Sequence, residues 1–380
     1  MPIQKITIED FLKLAKQHPV LDVRSPGEYA HAHIPAAHSL PLFTDEERKQ
    51  VGTAYKQQSR EAAIKIGLDY FGVKMRKMVE EVESLLVGRR SLNESADSST
   101  NNEQRTAANS VLVHCWRGGM RSAAVAWLLD MYGFKVYQLV GGYKAYRNWI
   151  LSQFEKEYNF NIIGGYTGSG KTLMLHELQK QNKTIVDLEA LANHKGSAFG
   201  AIENMPQPGQ EMFENMLGEA LADVSCSLTG ENGSTTNNNQ RTTDIYIEDE
   251  SQRIGNLQIP MPLWYTMRKA QVFFIDIPFE ERLDYITAEY GKLKKKILAD
   301  SILRIQKRLG GLETKNALNF LEEENTRECF RILLGYYDKW YHKGLYNREN
   351  IATLLNKIPC TGVDTKANTH KILTCNIVSA

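Results

Sequence analysis

Gly165-Tyr166-Thr167-Gly168-Ser169-Gly170-Lys171-Thr172 is the stretch on which the second half of the chain turns. It fits G-x-x-x-x-G-K-[ST]. In that pattern glycines let backbone N–H groups curl around an anion, the lysine adds a full charge, and the last hydroxyl offers a ligand to Mg²⁺. An apolar run, Phe160-Asn161-Ile162-Ile163, precedes the loop, and an amphipathic stretch from Leu173 to Gln181 follows it. Strand, loop and helix in this order predict a phosphate or diphosphate site built from Gly165, Thr167, Gly168, Ser169, Gly170, Lys171 and Thr172. The loop does not distinguish a nucleoside triphosphate from another diphosphate. Carboxylates able to support a metal lie at neighbouring strand ends, Asp187 and Glu189 after one and Glu248, Asp249 and Glu250 after another. Asp187, Glu248 and Asp249 are the supporting acids expected, with Mg²⁺ as the candidate ion.

Working outward, strands are expected at Thr184–Leu188, Asp244–Glu248 and Val272–Ile277, and the last hundred residues read as mainly helical and charged. Upstream, a helix from Ile8 to Gln17 leads to a strand Val20–Val23 and a turn at Pro26-Gly27. An amphipathic segment spans Arg60 to Leu86. A strand Val111–His114 then enters a cysteine and glycine turn, followed by a helix from Ser122 to Met131 and a strand Val136–Val140. Short strands alternating with helices predict parallel sheets covered by helices. The fold class is therefore α/β, with an N-terminal parallel-sheet domain over 1–155. A P-loop NTPase-like α/β domain with a helical C-terminal region fills 156–380.

Two segments, 88–110 and 228–243, are rich in Ser, Thr, Asn and Gln and nearly free of large apolar residues. They cannot bury enough surface to offset the entropy of ordering them and are expected to be polar surface inserts. The 46 basic and 45 acidic residues among 380 remove any case for nucleic acid from bulk charge. No apolar run approaches the roughly 18–20 residues of a membrane span, and the charged start MPIQKITIED does not read as a signal peptide. Five scattered cysteines without a C-x-x-C pair fit neither a disulfide framework nor a thiolate zinc site. A cytoplasmic setting, with no membrane partner, is the expectation.

Cys115-Trp116-Arg117-Gly118-Gly119-Met120-Arg121 leaves an apolar strand and enters a helix. Backbone N–H groups and a helix N-terminus at such a turn favour a thiolate. Arg117 and Arg121 add positive charge, and Arg121 can fork onto an oxyanion. Cys115 is thus the candidate nucleophile, with Arg117 and Arg121 as its catalytic partners. His31, His33 and His38 read as loop or surface histidines.

This region resembles rhodanese-type sulfurtransferase domains. The resemblance rests on Leu21-Asp22-Val23-Arg24-Ser25-Pro26-Gly27-Glu28-Tyr29, His33-Ile34-Pro35-Ala36-Ala37, the cysteine loop and Gly141-Gly142-Tyr143. Five residues separate Cys115 from Arg121, where rhodanese loops have four; five is the spacing of cysteine phosphatases. The wider loop suits a larger, phosphate-like anion. A sulfurtransferase or a cysteine phosphatase with an appended nucleotide-binding domain is one alternative, and a nucleotide-binding scaffold with an inert cysteine loop is another.

The combination of both loops is similar to the bacterial tRNA 2-selenouridine synthase family. Gly52–Gln58, Val186–Glu189, Ala192–Gly200, Phe213–Asn215, Ile247–Ser251, Arg253–Gly255 and Lys307–Gly310 match in family order. The resemblance implies replacement of sulfur by selenium in wobble 2-thiouridine of the tRNAs for Lys, Glu and Gln. It implies geranyl diphosphate and selenophosphate as co-substrates, no tightly bound cofactor, and a functional link to a selenophosphate synthase. It further implies that the phosphate loop holds the departing diphosphate and that Cys115 handles selenophosphate, a perselenide on its sulfur being one route. A basic run, Lys292, Lys294, Lys295, Lys296, Arg304, Lys307 and Arg308, reads equally as a solvated helix face or a tRNA contact, and the resemblance favours tRNA.

Overall fold

The computed structural model describes residues 3–93, 109–195, 206–226 and 244–375. It divides into two compact units, Met1–Ser152 and Gln153–Ala380.

The first unit runs β1 (Gln4–Ile6), α1 (Ile8–Ala15), β2 (Val20–Asp22), α2 (Pro26–His31), β3 (His38–Ser39) and α3 (Asp45–Gln57). It continues with α4 (Arg60–Gly72), α5 (Met75–Asn93), β4 (Ser110–His114), α6 (Met120–Tyr132), β5 (Lys135–Leu139) and α7 (Gly142–Gln153). The sheet order is β1-β5-β4-β2-β3, and every pairing is parallel. All residues of β2 and β4 are buried, as expected of strands covered on both faces.

Three local expectations change here. The Pro26-Gly27 turn is the start of α2, because Ser25 and Glu28 form a reciprocal capping box with proline in the first turn. The segment Arg60–Leu86 is two helices; the chain breaks near Val73, where the Lys74 N–H bonds back to Phe71 O at 2.9 Å. The 88–110 insert is shorter than expected, since α5 runs to Asn93 and Ser110 opens β4. Residues 94–108 lie outside the described residues.

The second unit runs β6 (Asn159–Gly165), α8 (Lys171–Lys180), β7 (Thr184–Val186), α9 (Leu188–Leu191), α10 (Gln210–Cys226) and β8 (Asp244–Glu248). The short ribbon β9 (Arg253–Ile254) and β10 (Leu257–Gln258) precedes α11 (Met261–Arg268), β11 (Gln271–Asp276) and α12 (Phe279–Tyr290). The remainder is α13 (Lys295–Leu309), α14 (Gly311–Glu322), α15 (Thr326–Tyr346), α16 (Ile351–Leu354), β12 (Leu355–Pro359) and α17 (Thr365–Thr374). The main sheet is parallel in the order β12-β11-β6-β8-β7. Expected strands and the helical end are present, but β12 is an additional strand within that end. The 228–243 insert lies outside the described residues, as do 196–200 of the matched stretch. No described helix is long and apolar enough to cross a membrane.

Candidate functional site

Cys115 follows β4, a central strand of the first sheet, and is 3% exposed. Its loop is tied to the turn after β5: the Tyr143 N–H donates to Cys115 O at 2.8 Å and the Lys144 N–H to Trp116 O at 3.0 Å. Gly142 makes this approach feasible. Its φ is +59°, and an added Cβ would stand 2.3 Å from Cys115 O. Beneath the loop, Arg24 Nε donates to both Asp22 oxygens at 3.0 Å, and Nη2 donates to Asp22 Oδ2 at 2.6 Å and to Ala32 O at 2.7 Å. Its guanidinium lies 3.9 Å from the Tyr143 ring centroid. Burial would raise the Asp22 carboxyl, but the charges of His114 and Arg24 hold it below the usual range. Burial pushes the adjacent His114 imidazole down. The Asp22-Val23-Arg24 motif is therefore support for the loop rather than part of its surface.

The structure gives Arg121 a partner that sequence reasoning missed. Its fork meets Glu28, with Nη1–Oε2 at 2.6 Å and Nη2–Oε1 at 3.3 Å. Glu28 also accepts from the Ser25 N–H at 3.1 Å. Burial would push this carboxyl up, but Arg121, aided by Ser25 and Arg48, holds it at about 2. Arg117 is exposed. His38, read as a loop or surface histidine, meets Glu81, distant in sequence, at 2.8 Å. Burial pushes the Cys329 thiol up to about 11 and raises that of Cys360, which suits packing rather than reactivity.

In the second unit the phosphate loop leaves β6, the middle strand of its sheet, and feeds α8. Gly168 has φ +80°, and a Cβ there would meet Ile286 Cδ1 at 2.6 Å. Arg282 clamps the loop from α12: it donates to Thr167 O at 3.0 Å while pairing Asp338 at 2.9 and 2.7 Å. Lys171 Nζ donates to Gly165 O at 3.1 Å and stands 5.7 Å from the Tyr341 ring centroid. The Gly165 N–H donates to Tyr341 Oη at 3.0 Å. The Ser169 hydroxyl is buried, with no hydrogen-bond partner among the described residues.

The acids sort differently from the expected set. Glu189, Glu248 and Glu250 bring one oxygen each to within 4.8 Å of one another, and Thr172 Oγ1 donates to Glu189 Oε2 at 3.1 Å. Glu248 is fully buried, and neither of its oxygens has a well-formed hydrogen bond to a described residue. Burial, then the charges of Glu189 and Glu250, push its carboxyl well above the usual range. Burial and Glu189 likewise push Glu250 to about 8, against the pull of Lys171. Asp187 instead caps α9, accepting from the Ala190 N–H at 2.8 Å, and meets His176 at 2.7 Å. Asp249 accepts from Tyr341 Oη at 2.6 Å and pairs with buried Arg348. A crowded set of hard oxygens beside a threonine hydroxyl fits a divalent cation such as Mg²⁺.

The basic run lies on and just before α13, where Lys292, Lys294, Lys295, Lys296, Arg304, Lys307 and Arg308 are all exposed. Lys295 is partly engaged, with Glu324 at 3.4 Å and Glu322 O at 3.2 Å. Leu298, Ser301 and Ile302 form the buried side of the helix. Lysines at a helix N-terminus oppose the macrodipole, so an external anion there would be doubly favoured.

A family model described as the tRNA 2-selenouridine synthase AAA domain matches residues 158–357. A tRNA 2-selenouridine synthase from Bdellovibrio bacteriovorus is 31% identical over 404 aligned positions, covering 93% of this chain and 96% of the relative. The chain belongs to the tRNA 2-selenouridine synthase family. Two further relatives of that name support the same placement. The Shewanella frigidimarina protein is 31% identical over 86% of this chain and 88% of its own length. The Hydrogenovibrio crunogenus protein is 32% identical over 88% and 91%. Such coverage exceeds the second unit alone, so the likeness to the synthases extends into the unit that carries Cys115.

Proposed function

We propose that this chain converts wobble 2-thiouridine of tRNA to 2-selenouridine in two steps, with the lysine, glutamate and glutamine tRNAs as substrates. The first step alkylates the sulfur with geranyl from geranyl diphosphate. The second replaces geranyl thiol with selenium from selenophosphate, the product of a selenophosphate synthase. The observation that carries the reading is a synthase likeness spanning both the cysteine loop and the phosphate loop.

Sulfur bonded to the pyrimidine is a poor leaving group, and alkylation improves it. In the first step the sulfur attacks the geranyl carbon, diphosphate leaves with the electron pair, and the N3 proton of the base is lost to solvent or to the diphosphate. Lys171 and the loop N–H groups neutralise that departing charge. Thr172, Glu189, Glu248 and Glu250 would hold a divalent cation, which supplies further charge neutralisation. In the second step the Cys115 thiolate attacks selenophosphate at phosphorus. An S–P bond forms, the P–Se bond breaks, and selenide leaves to attack C2 of the base. Water then cleaves the S–P bond, giving phosphate. Attack at selenium would give a perselenide and leave phosphite, so the by-product distinguishes the routes. The exposed basic face of α13 supplies backbone contacts to tRNA.

Purified protein, tRNA bearing wobble 2-thiouridine, geranyl diphosphate and Mg²⁺ should yield the geranylated nucleoside, and added selenophosphate should yield 2-selenouridine and phosphate. Absence of both nucleosides, with rapid hydrolysis of an aryl phosphate, would favour the phosphatase reading raised by the five-residue spacing.

A further inference from the structure

The side chain nearest to explaining how Cys115 works lies beneath its loop. Ser122 Oγ is 3.2 Å from Cys115 Sγ and 3.1 Å from Gly119 O, and Gln138 Nε2 lies 2.8 Å from Ser122 Oγ. The same Gln138 nitrogen is 3.3 Å from Gly118 O. A carbonyl only accepts, so that contact fixes the amide orientation and makes Gln138 a donor to Ser122. Gln138 therefore fills one lone pair of the hydroxyl. The single hydroxyl proton is left to choose between Gly119 O and the sulfur.

We infer that Ser122, oriented by Gln138, is a positioning residue that turns its one proton from Gly119 O to the sulfur of Cys115 whenever that sulfur carries negative charge. With sulfur protonated, the S–H donates to Ser122 Oγ and the hydroxyl donates to Gly119 O. With sulfur anionic, rotation about the Cβ–Oγ bond redirects the hydroxyl to sulfur, and no proton is transferred. Ser122 is fully buried, while Gln138 and Cys115 are each 3% exposed, so water cannot readily replace the missing donor. The device acts twice, on the attacking thiolate and again when the S–P electron pair returns to sulfur.

This rests on the reading of Cys115 as nucleophile, but its test needs neither tRNA nor selenophosphate. The thiolate of Cys115 is followed by ultraviolet absorbance against pH in the full chain, each variant being referenced to the same variant carrying Cys115→Ala. The surrounding charged groups are common to all: Asp22 on β2, Arg24 just after it, Glu28 on α2, His114 on β4, Arg117 in the loop and Arg121 on α6. Ser122→Ala should lower the ratio of thiolate to thiol at a given pH about tenfold, the size of one charge-assisted hydrogen bond, and converge with the wild type at high pH. Ser122→Thr should restore it. Gln138→Met, which leaves Ser122 in place, should lower it about threefold and decides the matter if Ser122→Ala does not fold. A wild-type titration in Ser122→Ala, or failure of Ser122→Thr to restore it, overturns the inference; so does a wild-type titration in Gln138→Met. A shifted titration without selenium transfer in the unsubstituted protein would instead count against the proposed function.

Discussion

The two loops start alike and end differently. Each leaves the C-terminal end of an interior strand in a five-stranded parallel sheet and runs into a helix N-terminus. In the cysteine loop the two arginines nearest its base already have carboxylate partners, Arg121 forked onto Glu28 and Arg24 beneath it onto Asp22, while Arg117 is exposed. In the phosphate loop Lys171 rests on a neutral carbonyl, while three carboxylates crowd one another. The first loop is preorganised around its own sulfur. The second is electrostatically incomplete without a cation and an anion. Their responses to mutation, metal and pH should therefore diverge.

The largest effect belongs to the unmatched loop. Lys171→Ala should reduce geranylation by about a hundred- to a thousandfold, as removal of a preorganised charge donor does. Single-turnover nucleoside analysis checks this, and a loss below about fivefold would mean that the lysine does not face the departing diphosphate. Glu248→Gln should abolish stabilisation by Mg²⁺ while making the metal-free protein more stable by about 1–3 kcal/mol, because folding no longer buries a carboxyl that is ionised in the unfolded chain. Urea melts with and without Mg²⁺ measure both.

The pH dependence should also have opposite signs. Glu250 is raised from the usual 4.5 to about 8, so without metal its contribution is most favourable below 4.5 and is lost as pH rises through about 8. Magnesium should reverse that trend. Glu28 is lowered to about 2, so its contribution is present above 4.5 and lost as pH falls through about 2. Glu28→Gln should cost roughly 1–3 kcal/mol near neutrality and flatten the acid limb of a melt series. The smallest effect concerns the exposed helix. Converting Lys294, Lys295 and Lys296 to Glu should weaken tRNA binding about tenfold at moderate salt and reduce the salt slope by about two. Filter binding with an unchanged slope would remove this face from the account.

Much of this contrast was legible because both loops follow short, mainly apolar strands, Val111–His114 and Phe160–Ile163. Asp249 reads as a supporting acid beside Glu248 because the two are adjacent at the end of β8, whereas the fold engages Asp249 with Tyr341 and Arg348, and the chain turns tightly after Glu248, the Glu250 N–H bonding back to Glu248 O at 3.0 Å. The run Ser25-Pro26-Gly27-Glu28 also contained a helix start that its proline and glycine disguised as a turn. Strand β12 was hidden by Lys357 and Pro359, residues tolerated because it is an edge strand. The Glu28–Arg121 pair joins residues distant in sequence and left no local pattern.

The most direct test bypasses the phosphate loop chemically. Transfer RNA already carrying S-geranyl-2-thiouridine should be converted to 2-selenouridine by Lys171→Ala with selenophosphate at close to the wild-type rate, and Cys115→Ala should leave it unchanged. Equal failure of both variants, or conversion by Cys115→Ala, would contradict a division of the chemistry between two anion sites.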